Sequence, residues 1–354
     1  MIKPVRVIVV DDSALVRNIL SQGLGMDPAI EVVATAADPY MARDRIMKYR
    51  PDVLTLDVEM PRMDGVEFLR RLMPQYPLPV LMVSSLTQKG KQITLDALEA
   101  GAVDFVSKPT TDMARGLNNM LMELRTKVKI ASTVNVSHWK GKKLSFSRGV
   151  LTAPEALPES TDKVIAIGAS TGGTEAIKRV VTRFPVTTPG VVIVQHMPAG
   201  FTKTFAERLN TLCPMQVKEA ENGDRVMPGR ILVAAGGVHM TIRRSGGVYY
   251  ADCRTGEKVC GHCPSVEVLM HSVAKSVGAN AVGVMLTGMG HDGADGMVAM
   301  RNAGARTIAQ DEKSCVVFGM PKVAFERGGA ETLTPLENIA PATMRLIWGR
   351  GGMR

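Results

Sequence analysis

The sequence is poor in aromatic residues and in cysteine, and it has no long hydrophobic run. Phe, Trp and Tyr make up 4% of its 354 residues, too few for the stacking surface that binds single-stranded nucleic acid. Five cysteines, an odd number in a long chain, favour reduced thiols over a disulfide framework. No apolar run reaches the ~18 residues of a membrane span, and the first residues do not resemble a signal peptide. We therefore expect a cytoplasmic protein with no membrane insertion.

Positive charge is concentrated in the second half of the chain. Of the formal net charge of +9, residues 1–125 contribute −1, residues 126–160 contribute +4 and residues 161–354 contribute +6. A basic region of this kind indicates an acidic partner, either a protein surface or a nucleic acid. The scarcity of aromatic residues favours the protein surface, so no nucleic-acid partner is expected.

A polar segment separates two stretches of alternating strand and helix patterns. A single core rarely grows to 354 residues. Between residues 126 and 160 the periodicity fades, and lysines alternate with Ser, Thr and Asn before a Pro-containing acidic stretch. This composition is typical of an exposed linker. We predict a first domain over residues 1–125, a linker over 126–160 and a second domain over 161–350.

In the first domain, five apolar and mostly β-branched runs alternate with amphipathic helical stretches. The predicted strands are Val5–Val10, Glu31–Ala36, Val53–Leu56, Val80–Val83 and Val103–Val106. Buried runs separated by helices are typical of doubly wound α/β domains with a parallel sheet. A flavodoxin-like (βα)5 fold is therefore predicted.

Polar side chains follow four of these strands. Asp11 and Asp12 come after the first strand, Asp57 after the third, Ser84 after the fourth and Lys108 after the fifth. In doubly wound sheets such residues meet at the carboxyl edge. Three carboxylates at one edge repel one another unless a cation lies among them, and their hard oxygen atoms suit Mg²⁺.

These residues stand in motifs that resemble the receiver domain of bacterial response regulators. The motifs are Val9-Val10-Asp11-Asp12-Ser13, Leu56-Asp57-Val58-Glu59-Met60-Pro61 followed by Met63-Asp64-Gly65, Val83-Ser84-Ser85 and Ser107-Lys108-Pro109. The resemblance implies that a histidine kinase phosphorylates Asp57. It also implies that Asp11, Asp12 and Asp57 bind Mg²⁺.

The same resemblance assigns the residues that respond to phosphorylation. Lys108 would contact the phosphoryl oxygens, and Ser84 would hydrogen-bond to them after transfer. Phe105 stands where receivers usually carry an aromatic residue that changes its packing with Ser84. A divalent cation and an amine neutralise the charge that builds up during in-line phosphoryl transfer.

Strand and helix patterns alternate again in the second domain. The predicted strands are Val164–Gly168, Val191–Gln195, Arg230–Ala234, Met240–Arg243, Val248–Ala251 and Ala281–Leu286. They predict a second α/β domain, Rossmann-like, with a mostly parallel sheet.

The first of these strands ends in a serine-bearing turn. Gly168-Ala-Ser170-Thr-Gly172 matches the G-x-S-x-G nucleophile elbow and precedes a helical pattern. A hydroxyl on such a turn lies beside the N–H groups of the helix start, which suits a nucleophile with an oxyanion hole. The pattern alone also fits a phosphate-binding loop or a structural glycine turn.

A serine nucleophile needs a base and a group that orients the base. His196 directly follows one predicted strand, and Asp292 lies in the loop after another. Both strand ends are expected at the same sheet edge as Ser170. His239, which follows two glycines, is the competing candidate for the base.

Two further motifs point to other functions. Gly288-Met-Gly290-His-Asp-Gly293 matches the dinucleotide fingerprint, with Asp311 further on, although that fingerprint normally opens its domain. Cys260-Gly-His-Cys263 is a single CxxC with no second pair at zinc spacing, which favours free thiols. A P-loop at 168–173 is excluded, because Thr174-Glu175 stands where Lys-Ser/Thr is required.

The second domain resembles the catalytic domain of the CheB family, the protein-glutamate methylesterases of chemotaxis. The resemblance is carried by Gly168-Ala-Ser170-Thr-Gly-Gly, Gln195-His196-Met-Pro, Gly236-Gly237-Val-His239-Met, Cys263-Pro264-Ser265-Val266-Glu267-Val-Leu and Leu286-Thr-Gly-Met-Gly-His-Asp292-Gly-Ala. It implies a catalytic triad of Ser170, His196 and Asp292. Thr171 and the Met289 backbone would assist the oxyanion. Ala235, Cys260 and Cys263 depart from the usual residues of the family.

Together the two resemblances imply a phosphorylation-activated serine esterase that serves chemotactic adaptation. The implied substrates are glutamate γ-methyl esters on methyl-accepting chemoreceptors, which release methanol, and receptor glutamines, which would be deamidated. A chemotaxis histidine kinase is the implied phosphodonor. Mg²⁺ is expected only in the receiver domain, since the esterase reaction needs no cofactor.

Overall fold

In the computed structural model of this chain, the described residues are 3–85, 87–109, 113–141, 151 and 162–348. They belong to two units, Met1–Ser145 and Phe146–Arg354. Most of the predicted linker, residues 142–150 and 152–160, lies outside the described residues, and the predicted domain limits stay a prediction. Among the described residues, no helix combines the length and apolar character needed to cross a bilayer.

The first unit is built on a five-stranded parallel sheet in the order β2-β1-β3-β4-β5. Its elements are β1 (Val5–Val10), α1 (Ala14–Gly25), β2 (Ile30–Ala36), α2 (Pro39–Tyr49), β3 (Val53–Asp57), α3 (Gly65–Gln75), β4 (Val80–Ser84), α4 (Gln88–Glu99), β5 (Asp104–Ser107) and α5 (Met113–Ala131). The strand order reverses between β1 and β3, which confirms the predicted flavodoxin-like fold. The β3 and β4 strands are buried along their whole length, as their apolar runs indicated.

Polar residues start the first four helices of this unit. The side chains of Ser13, Asp38, Asp64 and Thr87 accept hydrogen bonds from N–H groups at the starts of α1, α2, α3 and α4. Each cap satisfies a donor that the helix itself leaves unpaired. Since β1 ends at Val10 and α1 begins at Ala14, Asp11 and Asp12 lie in the short connection at the carboxyl edge of the sheet.

The second unit contains a seven-stranded sheet in the order β15-β14-β13-β6-β7-β10-β8 and a three-stranded antiparallel sheet in the order β11-β12-β9. Its strands are β6 (Val164–Ala169), β7 (Gly190–Gln195), β8 (Gln216–Glu219), β9 (Arg225–Val226), β10 (Arg230–Val233), β11 (His239–Ser245), β12 (Val248–Arg254), β13 (Ala281–Met285), β14 (Arg306–Gln310) and β15 (Thr332–Thr334). Its helices are α6 (Gly173–Val181), α7 (Phe201–Leu212), α8 (Val266–Ser276), α9 (Ala294–Asn302), α10 (Met320–Glu326) and α11 (Leu336–Trp348).

The strand pairs of the larger sheet are parallel, which confirms the prediction of a Rossmann-like sheet. Two predicted strands, those at 240–243 and 248–251, form the hairpin of the smaller sheet. The β6 strand lies in the middle of the larger sheet, between β13 and β7, and is buried throughout. The loops after β6, β7 and β13 therefore open at one carboxyl edge, where the strand order reverses.

Candidate active site and acidic cluster

Ser170 lies on a sharp turn between β6 and α6. The Gly173 N–H donates to the Ser170 carbonyl oxygen at 2.7 Å, and Gly172 has a left-handed backbone with φ of 78°, which glycine adopts without strain. The Ser170 N–H donates to the Thr287 carbonyl oxygen at 3.0 Å. The chain thus turns from strand to helix around a partly exposed serine, as the G-x-S-x-G pattern predicts.

Gly168 allows the end of β6 to pack directly against the start of α8. A Cβ atom at position 168 would lie 2.2 Å from Cγ1 of Val266, much closer than two carbon atoms can approach. The Val266 N–H in turn donates to Asp292 at 2.7 Å. The first glycine of the motif therefore brings the N-terminus of α8, with the carboxylate bound to it, against the strand that carries Ser170.

The Asp292 carboxylate is buried at the N-terminus of α8. Its Oδ1 atom accepts from the Ser265 hydroxyl at 2.7 Å and from the Glu267 N–H at 3.0 Å. Helix N-termini favour anions, because their N–H groups are unpaired and the helix dipole is positive there. Burial raises the pKa of Asp292, but hydrogen bonds from His196, Ser265 and Val266 outweigh it and hold the pKa below its usual range. Asp292 is therefore ionised at neutral pH.

His196 is held by this carboxylate through one ring nitrogen. Its Nε2 atom lies 2.7 Å from Asp292 Oδ2. An ionised carboxylate can only accept, so Nε2 carries the ring proton and Nδ1 carries the lone pair. The Nδ1 atom is buried and has no hydrogen-bond partner among the described residues. Unpaired buried polar atoms are uncommon, so this nitrogen is a candidate proton acceptor.

The strand register places Ser170 beside His196. In the β6–β7 pair, Ala169 is the register partner of Gln195, and the His196 N–H donates to the Ala169 carbonyl oxygen at 3.1 Å. The next residues, Ser170 and His196, therefore leave the sheet side by side. The Gln195 amide also donates to the Ser170 carbonyl oxygen at 2.9 Å, which fixes the turn to β7.

The loop after β13 closes the other side of Ser170. The Thr287 hydroxyl donates to the Thr171 carbonyl oxygen at 3.0 Å, and both residues are buried. A Cβ atom at Gly288 would lie 2.8 Å from Ser170 Cβ, so the backbone of this loop contacts the serine directly. Met289 follows at once, and its side chain is exposed. The two residues predicted to assist the oxyanion, Thr171 and Met289, thus lie in the segments that flank Ser170.

His239, the competing candidate for the base, has a hydrogen-bond partner at each ring nitrogen. His239 is buried, and its Nε2 donates to the Glu257 carbonyl oxygen at 2.8 Å while its Nδ1 accepts from the Ser265 N–H at 3.3 Å. With both ring nitrogens occupied, it has no lone pair available for a serine proton. Of the two candidates for the base, His196 is therefore the one with an unpaired ring nitrogen among the described residues.

In the glycine-rich segment 288–293, the N–H group at the start of the following helix is already hydrogen-bonded to a side chain of the protein. The Gly293 N–H at the start of α9 donates to Glu267 Oε2 at 2.8 Å. A dinucleotide pyrophosphate needs such N–H groups free at the helix start, and a carboxylate there would repel it. This loop instead carries Asp292 to α8.

The two cysteines of the CxxC motif have different surroundings. Desolvation raises the pKa of the Cys260 thiol, and the nearby carboxylates of Asp292 and Glu267 raise it further. Desolvation also raises the pKa of Cys263, which lies near the Gly256 N–H. Protonated thiols are poor metal ligands. Within the described residues, the group of carboxylates, histidines and cysteines close enough to share a metal ion is Asp11, Asp12 and Asp57.

Two residues of the site were missing from the sequence-based assignment. Ser265 caps α8 and donates to Asp292, and a serine just before an apolar helical run is a recognisable cap signal. His262 stacks on His196, with ring centroids 3.6 Å apart and planes inclined by 12°. Nothing in the local pattern around His262 predicts this contact, because it joins segments 66 positions apart.

In the first unit, Asp11, Asp12 and Asp57 meet at the carboxyl edge, with ligand oxygen atoms within 4.8 Å of one another. Lys108 Nζ lies 2.9 Å from Asp11 Oδ2 and 2.9 Å from Asp57 Oδ2. Burial raises the pKa of Asp57 to about 6, although Lys108 lowers it. The buried oxygens of Asp11 and Asp57 and the exposed Asp12 fit a hard divalent cation that keeps some of its water ligands.

Ser84 and Phe105 lie on the two strands beside this cluster. The Ser84 hydroxyl accepts from the Thr94 hydroxyl at 2.6 Å and donates to the Gly90 carbonyl oxygen at 3.3 Å. Phe105 is buried, with Lys127 Nζ 5.3 Å from its ring centroid. In this structure Ser84 is therefore bonded to α4, and a contact with a phosphoryl group would replace those bonds.

Comparison with known proteins agrees with both halves of this description. A family model for the CheB methylesterase matches residues 165–343, and a model for the response regulator receiver domain matches residues 7–119. A protein-glutamate methylesterase/protein-glutamine glutaminase of Syntrophotalea carbinolica is 70% identical over 98% of this chain and 99% of its own length. One of the same name from Salmonella typhimurium is 52% identical over 97% of both chains.

Among solved structures, the Thermotoga maritima CheB methylesterase catalytic domain superposes on this chain with a TM-score of 0.52. It is 35% identical and covers 53% of this chain and 100% of its own. Sequence and structure therefore agree over the second unit, and sequence identity to the full-length relatives extends over nearly the whole chain. The chain belongs to the CheB family of methylesterases, with a response regulator receiver domain ahead of the catalytic domain.

Proposed function

We propose that this protein is a serine esterase that hydrolyses glutamate γ-methyl esters on chemoreceptors under the control of receiver phosphorylation. The observation that carries the proposal is the His196 ring, bonded through Nε2 to the ionised Asp292 at 2.7 Å with its buried Nδ1 unpaired. Ser170 leaves the adjoining strand beside it. This arrangement supplies a nucleophile, a base and an orienting carboxylate.

In the proposed reaction, the Ser170 hydroxyl rotates toward His196 Nδ1 and gives up its proton as its oxygen attacks the ester carbonyl. Catalytic hydrogen bonds of this kind often form only once substrate is bound. The tetrahedral intermediate expels the methoxy group, which takes the proton from His196 and leaves as methanol. Water then attacks the acyl-serine with His196 as base, and this step returns the Ser170 hydroxyl and the free glutamate. Asp292 keeps the ring in one tautomer throughout.

Donors near the start of α6 and in the loop after β13 would stabilise the oxyanion. Thr171 follows the nucleophile directly, and Met289 follows Gly288, whose backbone contacts Ser170. A single well-placed donor is typically worth roughly 3 kcal/mol in the transition state. We propose Thr171 and the Met289 backbone for this role.

The names of the relatives combine an esterase with a glutaminase, and one mechanism covers both. A glutamine side chain would form the same acyl-serine, with ammonia as the leaving group in place of methanol. Hydrolysis of that intermediate then gives glutamate in either case. We propose that this chain deamidates receptor glutamines as its second activity.

The direct test is methanol release from methylated receptor membranes. The wild type should release methanol, and Ser170→Ala, His196→Gln and Asp292→Asn should each lose most of that activity while keeping the fold by circular dichroism. Removal of triad members costs factors of 10⁴ to 10⁶ in serine proteases. Release by Ser170→Ala at the wild-type rate would overturn the proposal.

The receiver unit is proposed to accept a phosphoryl group on Asp57 from a chemotaxis histidine kinase. When bound among Asp11, Asp12 and Asp57, Mg²⁺ would neutralise charge on the transferred group. Lys108, already 2.9 Å from Asp57, would hold the phosphoryl oxygens, and Ser84 would leave α4 to bond them. Asp57→Asn should abolish phosphorylation and leave the unphosphorylated esterase rate unchanged.

Phosphorylation is proposed to release an inhibition of the catalytic unit. A chain that starts at residue 161 should then release methanol faster than the unphosphorylated full chain. Equal rates for the two would rule out inhibition by the receiver. This test is independent of whether Ser170 is the nucleophile.

Chemoreceptors are proposed as the acidic partner that the basic charge of residues 161–354 indicates. Their glutamate-rich methylation segments would be attracted to this half of the chain. The five free cysteines support a reducing compartment, and we propose the cytoplasm. An association rate with receptor membranes that does not change with ionic strength would rule out the electrostatic part of this proposal.

A further inference from the structure

The His262 ring lies flat against the ring of His196. Their centroids are 3.6 Å apart, and their planes are inclined by 12°. The family assignment and the proposed triad leave this second histidine without a role. Because it covers one face of the proposed base, its effect on that base can be argued from ring chemistry.

The backbone holds His262 in place from both sides. The N–H and carbonyl groups of Val259 and His262 are hydrogen-bonded to each other at 3.0 and 2.9 Å, and these bonds close a tight turn. The Cys263 carbonyl oxygen accepts from the Gly237 N–H at 3.0 Å, and Ser265 then begins α8. These bonds fix the backbone from which the His262 ring projects, and the stacked ring leaves little room for the His196 ring to turn.

The stacking geometry suits a charged ring better than a neutral one. Neutral aromatic rings prefer offset or edge-on pairs with centroids 4.5–7 Å apart, because stacked faces carry the same sign of charge. A cation above an aromatic face is attracted to it. In the proposed reaction, His196 becomes a cation when it takes the proton from Ser170. The stack therefore improves in the state that follows proton transfer, which is the condition for a contribution to rate.

The same contact restricts rotation of the His196 ring. Rotation of the His196 ring by half a turn about its Cβ–Cγ bond would exchange Nδ1 with Cδ2 and Nε2 with Cε1, so a carbon atom would face Asp292 and the hydrogen bond that fixes the tautomer would be lost. The Asp292 bond at 2.7 Å opposes this exchange from the edge of the ring, and His262 opposes it from the face.

We propose that His262 is a positioning residue for the base: its ring fixes the orientation of His196 and stabilises the imidazolium form. This rests on the proposed role of His196 in the esterase reaction. The nearby thiol of Cys260 stays protonated near Asp292 and Glu267, so it adds no charge to the stack.

The test compares three substitutions at position 262 in the full chain. His262→Phe keeps a flat aromatic face, His262→Leu keeps volume without one, and His262→Ala removes both. We expect kcat for methanol release to fall about tenfold in the Leu and Ala variants, the size of one cation–π contact, with KM unchanged. His262→Phe should keep most of the wild-type kcat. His271→Ala, an exposed histidine of α8, is the control and should match the wild type.

A spectroscopic readout separates this proposal from the proposed function. In nitrogen NMR of the histidine-labelled chain, the His196 signals, assigned by their loss in His196→Asn, should show protonated Nε2 and bare Nδ1. The Ala and Leu variants should show a mixture of the two tautomers, and the Phe variant should not. These signals need no substrate, so they test the contact even if methanol release fails for another reason.

Three results would overturn the inference. They are a wild-type kcat with unchanged ring signals in His262→Ala, a loss in His262→Phe as large as in His262→Ala, and a change confined to KM, which would make His262 a substrate contact. If His262→Ala fails to fold by circular dichroism, the comparison of Leu with Phe decides alone.

Discussion

Substitution of Gly168 by alanine should destabilise the second unit and lower its esterase activity. The added Cβ would lie 2.2 Å from Cγ1 and 3.1 Å from Cγ2 of Val266. Val266 is fully buried and is β-branched at the start of a helix, so it has little freedom to rotate away. Overpacking of this kind costs about 1–3 kcal/mol. The displaced α8 also carries the N–H groups that hold Asp292, so kcat should fall as well.

A second substitution tests whether this clash is the cause. Val266→Ala removes both γ-carbons and should cost about 2 kcal/mol by itself, from lost burial and the cavity left behind. In the double variant the new methyl group at position 168 fills part of that cavity. The cost of the double variant should therefore be smaller than the sum of the single costs by about 1–2 kcal/mol.

The assay is urea unfolding of the full chain, followed by circular dichroism for both units and by retained methanol release for the second unit. Gly25→Ala is the control, because a Cβ at position 25 would meet no atom within 4 Å. It should be neutral or stabilising by about 0.5–1 kcal/mol. Strictly additive costs in the double variant, or a Gly168→Ala variant as stable and active as the wild type, would refute the reasoning.

Three further predictions follow from the same contacts. Ser265→Ala should lose about 1.5–3 kcal/mol in urea unfolding, since it removes a hydrogen bond to a buried carboxylate and the cap of α8; wild-type stability would contradict this. Asp57→Asn in Mg²⁺-free buffer should raise the melting temperature of the first unit at pH 7.5, because burial raises the pKa of Asp57 to about 6 and its ionised form therefore weakens the folded state. That gain should shrink as the pH falls from about 6 toward 4, where wild-type Asp57 is protonated in the folded state; a gain independent of pH would count against it. Burial raises the pKa of Cys213 and Cys315 to about 12 and that of Cys253 to about 11. Iodoacetamide at pH 8 should therefore alkylate these thiols far more slowly in the folded chain than in the unfolded chain, as measured by mass spectrometry. Equal alkylation rates would show that the fold does not protect them.

Much of the fold could be predicted because buried parallel strands appear in the sequence as apolar runs. The strands at 53–57 and 164–169 are buried from end to end, and each run matches a predicted strand. The short strands at the sheet margins, such as Gln216–Glu219 and Thr332–Thr334, are partly exposed and leave no such run. The separate antiparallel sheet also escaped prediction, since a strand pattern does not say which sheet a hairpin joins.

In the candidate sites, too, some features could be predicted from the sequence and others could not. Strand ends in a parallel sheet share one edge, so the positions of Asp11, Asp57, Ser170 and His196 followed from where each apolar run stops. Their proposed roles in catalysis and phosphorylation stay predictions until the variants are measured. The choice between His196 and His239 could not be made from spacing, because each lies at the end of a strand: His196 directly follows β7 and His239 begins β11.

By itself, the sequence determined the two α/β domains, the edges at which polar groups collect and the motifs that resemble the CheB family. The tertiary structure decided which groups meet: His196 with Asp292, 96 positions apart, and His262 on the face of His196. It also decided that Nε2 faces the carboxylate and that Nδ1 has no hydrogen-bond partner among the described residues. Hydrogen bonds and ring contacts between distant segments depend on how the helices pack on the sheet, and local sequence patterns do not determine that packing.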